Sequence, residues 1–163
     1  MNALTVLQKA QAEKYAVGAF NVCNLESLKA VLQAAQNLRS PIILEASNGE
    51  ANYMGFEELV ALVKLGRAKT GLPIILNLDH GKDFAACQKA IEAGFDYVHI
   101  DGSKLPLAEN IAVTKEVVKL AHAKEVLVEG EMDYIEGSSE DHLKEDTAAY
   151  QKAGRYTDPQ RAA

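Results

Sequence analysis

Residues 73–101 read PIILNLDHGKDFAACQKAIEAGFDYVHID, and they contain the clearest fold signal in the sequence. Two strand-like runs, 73–79 and 95–101, flank a segment with the apolar spacing of a helix, 84–94. A strand, a helix and a second strand of these lengths predict a βαβ unit, in which the two strands are parallel.

The same pattern recurs on both sides of this unit. The further strand-like runs are 16–22, 41–47 and 125–131, and helical spacing follows at 25–38, 56–69 and 111–124. Asn24 and Asp83 are suited to cap two of these helices, while Gly71 and Gly94 are suited to end two. The alternation predicts an α/β protein with one parallel sheet and right-handed crossovers.

Composition excludes several classes of protein. A chain of 163 residues, 48% hydrophobic and 25% charged, is expected to form a single domain with a real core rather than a disordered chain. No apolar run approaches the roughly 18 residues of a membrane span, and the N-terminus lacks a signal-peptide core. A net charge of −6 without a basic cluster argues against nucleic acid as a partner. Cys23 and Cys87 are interpreted as reduced thiols, which predicts a cytoplasmic location.

Polar side chains recur at every second position of the predicted strands. The positions between them are apolar, and their side chains should face the helices: Phe20, Ile42, Leu44, Ala46, Ile74, Leu76, Leu78, Val98, Ile100, Val126 and Val128. The polar set is Asn21, Glu45, Ser47, Asn77, Asp79, His99, Asp101, Glu129 and Glu131. One polar residue at a strand end often only caps a loop, but five strands in succession predict a site where parallel strands end. Converging carboxylates require a metal, a cationic partner or solvent, and favour a barrel over an open doubly wound sheet.

The tripeptide Asp79-His80-Gly81 adds a metal-ligand candidate. Adjacent strand residues point to opposite faces, so both side chains reach one site only if the chain turns, which Gly81 is expected to permit. A histidine there can bind a metal while its neighbour transfers a proton.

These residues lie within family signatures: LDHGKD at 78–83, IDGS at 100–103 with NI-x-x-TK after it, and VEGE at 128–131. The chain resembles the class II, metal-dependent fructose-bisphosphate and tagatose-bisphosphate aldolases over nearly its whole length. The resemblance implies a (β/α)₈ TIM barrel, of which 1–163 would be a single, incomplete domain holding about five βα units. It also implies a glycolytic lyase that reversibly cleaves a ketose bisphosphate into dihydroxyacetone phosphate and glyceraldehyde 3-phosphate.

The resemblance assigns a role to each matching residue. A zinc ion would polarise the ketone. His80 matches a zinc ligand, and Asp79 matches the catalytic aspartate that transfers a proton at the C4 hydroxyl. Asp101 and Glu131 match carboxylates near the metal that can hold a second or alternative divalent cation.

Further roles implied by the resemblance concern the phosphorylated sugar substrate and a loop. Asn21 and Ser47 match substrate-binding positions, with Ser47 near a phosphate. Residues 133–157 are expected to form a mobile active-site loop, in which Glu140 would be a second catalytic acid–base group. Asp133 departs from the family pattern, which usually has glycine at that position.

The other three histidines are expected to be structural. His99 would form hydrogen bonds in the interior, His122 would lie at a helix C-terminus, and His142 would be solvated. Family members have about 250 residues or more, and two further zinc histidines and the phosphate loops lie beyond the five strands.

Three explanations of the short chain remain open. It is the N-terminal part of an aldolase, completed by further sequence, by a complementing C-terminal half or by homo-oligomer formation. Alternatively, it is a non-catalytic half-barrel that binds or regulates an aldolase. The third is a barrel lyase or isomerase that uses the same carboxylates with magnesium.

Overall fold

The structure is a computed structural model that describes residues 2–133, 157 and 159–162. Helices and strands alternate along the chain as the sequence predicts. The helices are α1 (Ala3–Glu13), α2 (Leu25–Leu38), α3 (Asn48–Met54), α4 (Phe56–Thr70), α5 (Phe84–Ala93), α6 (Leu107–His122) and α7 (Pro159–Ala162). The strands are β1 (Gly18–Asn21), β2 (Ile42–Ser47), β3 (Ile74–Gly81), β4 (Tyr97–Asp101) and β5 (Leu127–Glu131).

The five strands form one parallel sheet in the order β1-β2-β3-β4-β5. Each strand therefore pairs with the next one along the chain, as in a (β/α) barrel. A doubly wound sheet instead reverses its strand order at a switch point. The prediction of a partial TIM-type barrel is confirmed.

Local signals fix most helix ends where the sequence predicts them. The side chain of Asn24 accepts a hydrogen bond from the Ser27 amide, and that of Asp83 from the Ala86 amide, each at 2.8 Å. Gly71 ends α4 in the left-handed region, because its φ is 69°. Two helices, α1 and α3, were not predicted, and α6 begins earlier than the predicted residue 111.

The helix-facing side of the sheet forms the main core. Apolar strand residues pack there against α2, α4, α5 and α6, and they include Leu44, Ala46, Leu76, Leu78, Val98 and Ile100. The prediction was wrong for Phe20, which is 47% exposed. Its strand, β1, is at an edge of the described sheet, so no neighbouring strand covers it on one side.

The inner side of the sheet is apolar only at the N-terminal ends of the strands. Ile43 and Ile75 pack there against Ala3 of α1, with Tyr97 and Leu127 partly buried beside them. Helix α1 thus covers the lower inner face, and polar residues occupy the remainder toward the C-terminal ends. No helix in the described ranges has the length and apolar character needed to cross a membrane.

Candidate active site

A bulge at the end of β3 organises the site. Leu78 pairs with Val98 and Gly81 with Ile100, so two residues of β3, Asp79 and His80, stand opposite one residue of β4. The backbone of His80 is left-handed, with φ of 48°. An irregularity of this kind redirects a side chain, and here the side chains of Asp79 and His80 both reach the inner face.

Gly81 has a different role from the predicted one. The left-handed residue is His80, and Gly81 is absent from the positive-φ positions. A Cβ on Gly81 would lie 2.6 Å from the carbonyl oxygen of His99 and 2.8 Å from the sulfur of Cys87. Glycine is therefore required at this position because β4 and α5 approach its Cα closely.

The imidazole of His80 lies at the centre of the acidic cluster. Its Nδ1 is 3.0 Å from Oδ2 of Asp101 and 3.3 Å from Oε2 of Glu131. Its Nε2 is 3.9 Å from Oδ1 of Asp79. The backbone is held as well, because Asn48 donates to the His80 carbonyl at 3.2 Å. Three predicted site residues from three strands thus meet at His80.

His99 lies beneath this cluster and is 6% exposed. Its Nδ1 accepts a hydrogen bond from the His80 amide at 3.3 Å, so the predicted interior hydrogen-bonding position is confirmed. Burial by itself lowers the pKa of His99, but the contact with Asp79 and the charges of Glu129 and Glu131 outweigh burial and raise it.

Asp79 is held in its ionised form. Its contact with His99 outweighs burial, and Asn21 donates to its Oδ2 at 3.1 Å, so the pKa of Asp79 lies below its usual value. Asn21, a predicted substrate-binding residue, therefore lies next to the predicted proton-transfer residue. Asp79 is therefore ionised at neutral pH.

Asp101 is fixed by the residues that follow it. The amide and the hydroxyl of Ser103 both donate to its Oδ1, at 3.0 and 2.6 Å. Burial raises the pKa of Asp101, but these bonds and the contact with His80 outweigh burial and lower the pKa. The second oxygen, Oδ2, is thereby directed at the imidazole of His80.

Ser47 lies at the beginning of α3. Its hydroxyl accepts a bond from the Glu50 amide at 3.3 Å, while Glu50 Oε2 accepts from the Ser47 amide at 2.7 Å. The same Glu50 carboxylate is 3.4 Å from Nδ2 of Asn21. Glu50 was missed in the sequence, although S-x-x-E at 47–50 is a capping-box signature that could have indicated both α3 and this residue.

A second polar group lies deeper on the inner face. Asn77 donates to Oε1 of Glu45 at 3.0 Å, and the hydroxyl of Tyr97 donates to Glu129 at 2.7 Å. Burial raises the pKa of both Glu45 and Tyr97. The contribution of Tyr97 was not predicted, although it alternates with His99 and Asp101 on the same side of the strand and carries a hydroxyl.

The donor set suits a divalent metal. Asp79, His80 and His99 each offer an atom within 4.8 Å of the others, and so do His80, Asp101 and Glu131. Imidazole nitrogen with carboxylate oxygens is a donor set that zinc accepts, and carboxylates also suit harder divalent cations. A hydrogen bond from Nδ1 of His80 to Asp101 would leave Nε2 as the ligand atom, which is a common arrangement for metal-binding histidines.

Some predicted residues lie elsewhere. His122 is the last residue of α6, as expected for a residue at a helix C-terminus. Glu140, His142 and the predicted loop after Asp133 lie outside the described residues, except for Thr157.

A sequential parallel sheet with a histidine and carboxylates gathered where the strands end is the arrangement of a partial (β/α) barrel that has its site at the C-terminal ends of the strands. The family model for class II fructose-bisphosphate aldolase matches residues 1–163. The chain therefore belongs to the class II fructose-bisphosphate aldolase family, and the resemblance read from the sequence is confirmed.

Individual relatives agree with this assignment. The chain is 46% identical over 143 residues to a Bacillus subtilis protein named "Probable fructose-bisphosphate aldolase", covering 86% of this chain and 50% of the relative. It is 44% identical over 141 residues to the 6-phospho-5-dehydro-2-deoxy-D-gluconate aldolase of Bacillus licheniformis, covering 85% and 48%. The crystal structure of the YdjI aldolase from Escherichia coli K12 matches with a TM-score of 0.74 and 30% identity, covering 83% of this chain and 53% of that one. The chain thus spans about half the length of these relatives.

Proposed function

We propose that the chain forms the N-terminal part of a class II aldolase. The enzyme would reversibly cleave fructose 1,6-bisphosphate or tagatose 1,6-bisphosphate into dihydroxyacetone phosphate and glyceraldehyde 3-phosphate. The observation that carries the proposal is the convergence of Asp79, His80, Asp101 and Glu131 at the bulge of β3. A purely structural sheet has no need of three carboxylates around one imidazole, because their mutual repulsion and desolvation are unfavourable.

In this proposal Asp79 accepts the proton of the substrate's C4 hydroxyl. As the C4 oxygen forms the aldehyde, the C3–C4 bond breaks and its electron pair moves toward the C2 carbonyl. The position of Asp79 beside His80 and Asn21 supports this role, and Asp79 is ionised at neutral pH, as a proton acceptor must be. Glu140, in the predicted mobile loop at 133–157, is proposed to return a proton to C3.

His80 is proposed to bind zinc through Nε2, while Asp101 orients the ring from Nδ1. Asp101 and Glu131 are proposed to lie near the metal and to suit a second or alternative divalent cation. When bound, the zinc supplies Lewis-acid polarisation of the ketone. Catalytic zinc sites usually have about three protein ligands and one open position. We propose that further ligands come from the remainder of the barrel.

Asn21 and Ser47 are proposed to bind the phosphorylated sugar. Asn21 lies within hydrogen-bond distance of Asp79, and Ser47 lies next to Asp79 in the paired register of β2 and β3.

Completion of the barrel is proposed to involve more protein at the two edge strands. Strands β1 and β5 each pair with one neighbour in the described sheet, and every residue of β1 is exposed. Such edges favour association. The added part would be further sequence of the same protein, a complementing C-terminal half or a second copy. Cys23 and Cys87 are both free thiols, which supports a cytoplasmic protein.

The first experiment measures zinc content and particle mass of this chain, alone and together with a C-terminal barrel half of the family. Aldol cleavage is followed by enzymatic detection of dihydroxyacetone phosphate. We expect stoichiometric zinc and zinc-dependent cleavage in the completed barrel. A completed barrel of defined size that binds zinc but cleaves neither substrate would instead favour the non-catalytic role.

The second experiment tests the role of Asp79. Asp79→Asn should reduce kcat by about 10²–10⁴-fold, since that is the usual contribution of a general base, while zinc content stays unchanged. The matched control is Asp83→Asn, because Asp83 caps α5 and asparagine caps a helix equally well. Full activity of the Asp79 variant would refute the role proposed for that residue.

A further inference from the structure

Asn110 is a buried polar residue that the proposed chemistry does not use. It lies in the first turns of α6 and is 5% exposed. A buried amide is costly unless both of its ends form hydrogen bonds. The contacts of this side chain therefore show what it holds in place.

Both ends of the Asn110 amide are engaged. Its Nδ2 donates to the backbone carbonyl of Glu131 at 2.8 Å, and its Oδ1 accepts from the hydroxyl of Thr114, one helical turn later, at 3.1 Å. Thr114 thus orients the amide so that the NH₂ group faces the end of β5. The bond connects α6 to the last residue of that strand.

The neighbouring strand leaves space for this amide. A Cβ on Gly102 would lie 2.3 Å from Cγ of Asn110, so the two residues are compatible only because position 102 is glycine. Gly102 directly follows Asp101, the last residue of β4. Asn110 therefore lies against the ends of β4 and β5, which carry Asp101 and Glu131.

The position of the Glu131 carboxylate depends on the end of its strand. Its Oε2 is 3.3 Å from Nδ1 of His80 and 3.2 Å from Nε2 of His99, so a small movement of the strand end would break both contacts. In the described sheet β5 pairs with β4 alone. The bond from Asn110 supplies a constraint on β5 from the helix side.

We propose that Asn110, oriented by Thr114, is a positioning residue that sets the place of the Glu131 carboxylate in the metal pocket. The inference rests on the proposed function only in that the pocket binds a divalent metal. Groups that orient metal ligands typically change metal affinity by about 10–100-fold when they are removed. The same range is expected here.

The test uses Asn110→Ala and Thr114→Val in the completed barrel. Affinity for Zn²⁺ and Co²⁺ is measured by competition with a chelator, and the absorption spectrum of the Co²⁺ form reports the geometry of the ligands. Asn110→Ala should weaken binding about 10–100-fold and alter the Co²⁺ spectrum. Thr114→Val keeps the shape of the side chain but removes its hydroxyl, and it should shift both readouts less, in the same direction.

The matched control is Val117→Ala. Val117 is a fully buried core residue of the same helix, and its truncation should destabilise the protein without moving β5. If Val117→Ala weakens metal binding as much as Asn110→Ala at an equal loss of thermal stability, the positioning role is wrong. Should Asn110→Ala fail to fold, wild-type affinity and spectrum in Thr114→Val would overturn the inference.

A crystal structure of Thr114→Val separates this inference from the proposed function. If the wild-type protein binds no divalent metal, the proposed metal chemistry fails. Displacement of the Glu131 carboxylate from His80 and His99 in the variant would still support the positioning role, and an unchanged carboxylate would overturn it.

Discussion

The imidazole of His80 and the carboxylate of Asp101 lie 3.0 Å apart, although they belong to different strands. The left-handed backbone of His80 turns its ring toward β4, and Ser103 holds the other oxygen of Asp101. The contact between Asp101 and Nδ1 fixes the orientation of the His80 imidazole. Nε2 of His80 therefore faces the remainder of the site.

The first prediction concerns this pair. Asp101→Asn should weaken zinc binding about 10–100-fold, because a neutral amide orients the imidazole less strongly than a carboxylate does. Ser103→Ala, which removes one bond to Asp101, should have a smaller effect in the same direction. Chelator competition measures both. Equal affinities for the wild type and Asp101→Asn would show that the contact does not support the metal site.

The second prediction concerns the close approach at the bulge. Gly81→Ala should destabilise the protein by about 1–3 kcal/mol, the usual cost of overpacking, because the new Cβ would meet the His99 carbonyl and Cys87. Gly49→Ala is the control, since its nearest neighbour lies 3.9 Å from the new Cβ. Urea unfolding measures both variants. Equal urea midpoints for the wild type and Gly81→Ala would contradict the close approach of the His99 carbonyl and Cys87 to Gly81.

The third prediction concerns thiol reactivity. Cys23 is exposed, whereas Cys87 is buried and burial raises its pKa to about 12. Because the thiolate is the reactive form, we expect one fast-reacting thiol per native chain and two after unfolding. The reactive thiols are counted with a disulfide reagent that releases a coloured product. Cys23→Ser should abolish the fast phase, and a persisting fast phase would show that Cys87 is accessible.

The fourth prediction concerns pH. Burial raises the pKa of Glu45 above 4.5, so the folded state binds this proton more tightly than the unfolded state. The associated stability is complete below the unfolded pKa and is lost as pH rises through the folded pKa. Glu45→Gln should therefore be more stable than the wild type at pH 7, with the difference vanishing below about pH 4.

Urea unfolding between pH 4 and pH 8 tests this prediction. Glu45→Ala is the control, because it removes the acceptor of the Asn77 amide and should destabilise the protein across this range. A Glu45→Gln variant that is less stable than the wild type at pH 7 would contradict the sign of the effect.

Local patterns in the sequence contain much of the fold. The spacing of apolar residues in 25–38 predicts α2 with the observed bounds, and the caps Asn24 and Asp83 follow from their short polar side chains. Alternation along β2 predicts that Leu44 and Ala46 are buried while Glu45 faces inward. These features are predictable because they depend on residues within a few positions of one another.

Features that join distant segments could not be predicted in the same way. The register shift that brings His80 to Asp101 depends on how β3 pairs with β4. The exposure of Phe20 depends on which strands flank β1, and the bond from Asn110 to Glu131 depends on how α6 packs over β5. The assigned roles of the site residues, including Glu140, stay predictions.

Local patterns were enough to predict the alternation of strands and helices, the inward-facing carboxylates and the family. The turn at His80 rather than at Gly81, and the close contacts that require glycine at 81, are visible only in the folded structure. The physical reason is that side-chain parity follows from the local backbone repeat. Register and close approach are set by neighbouring strands and helices that are distant in sequence.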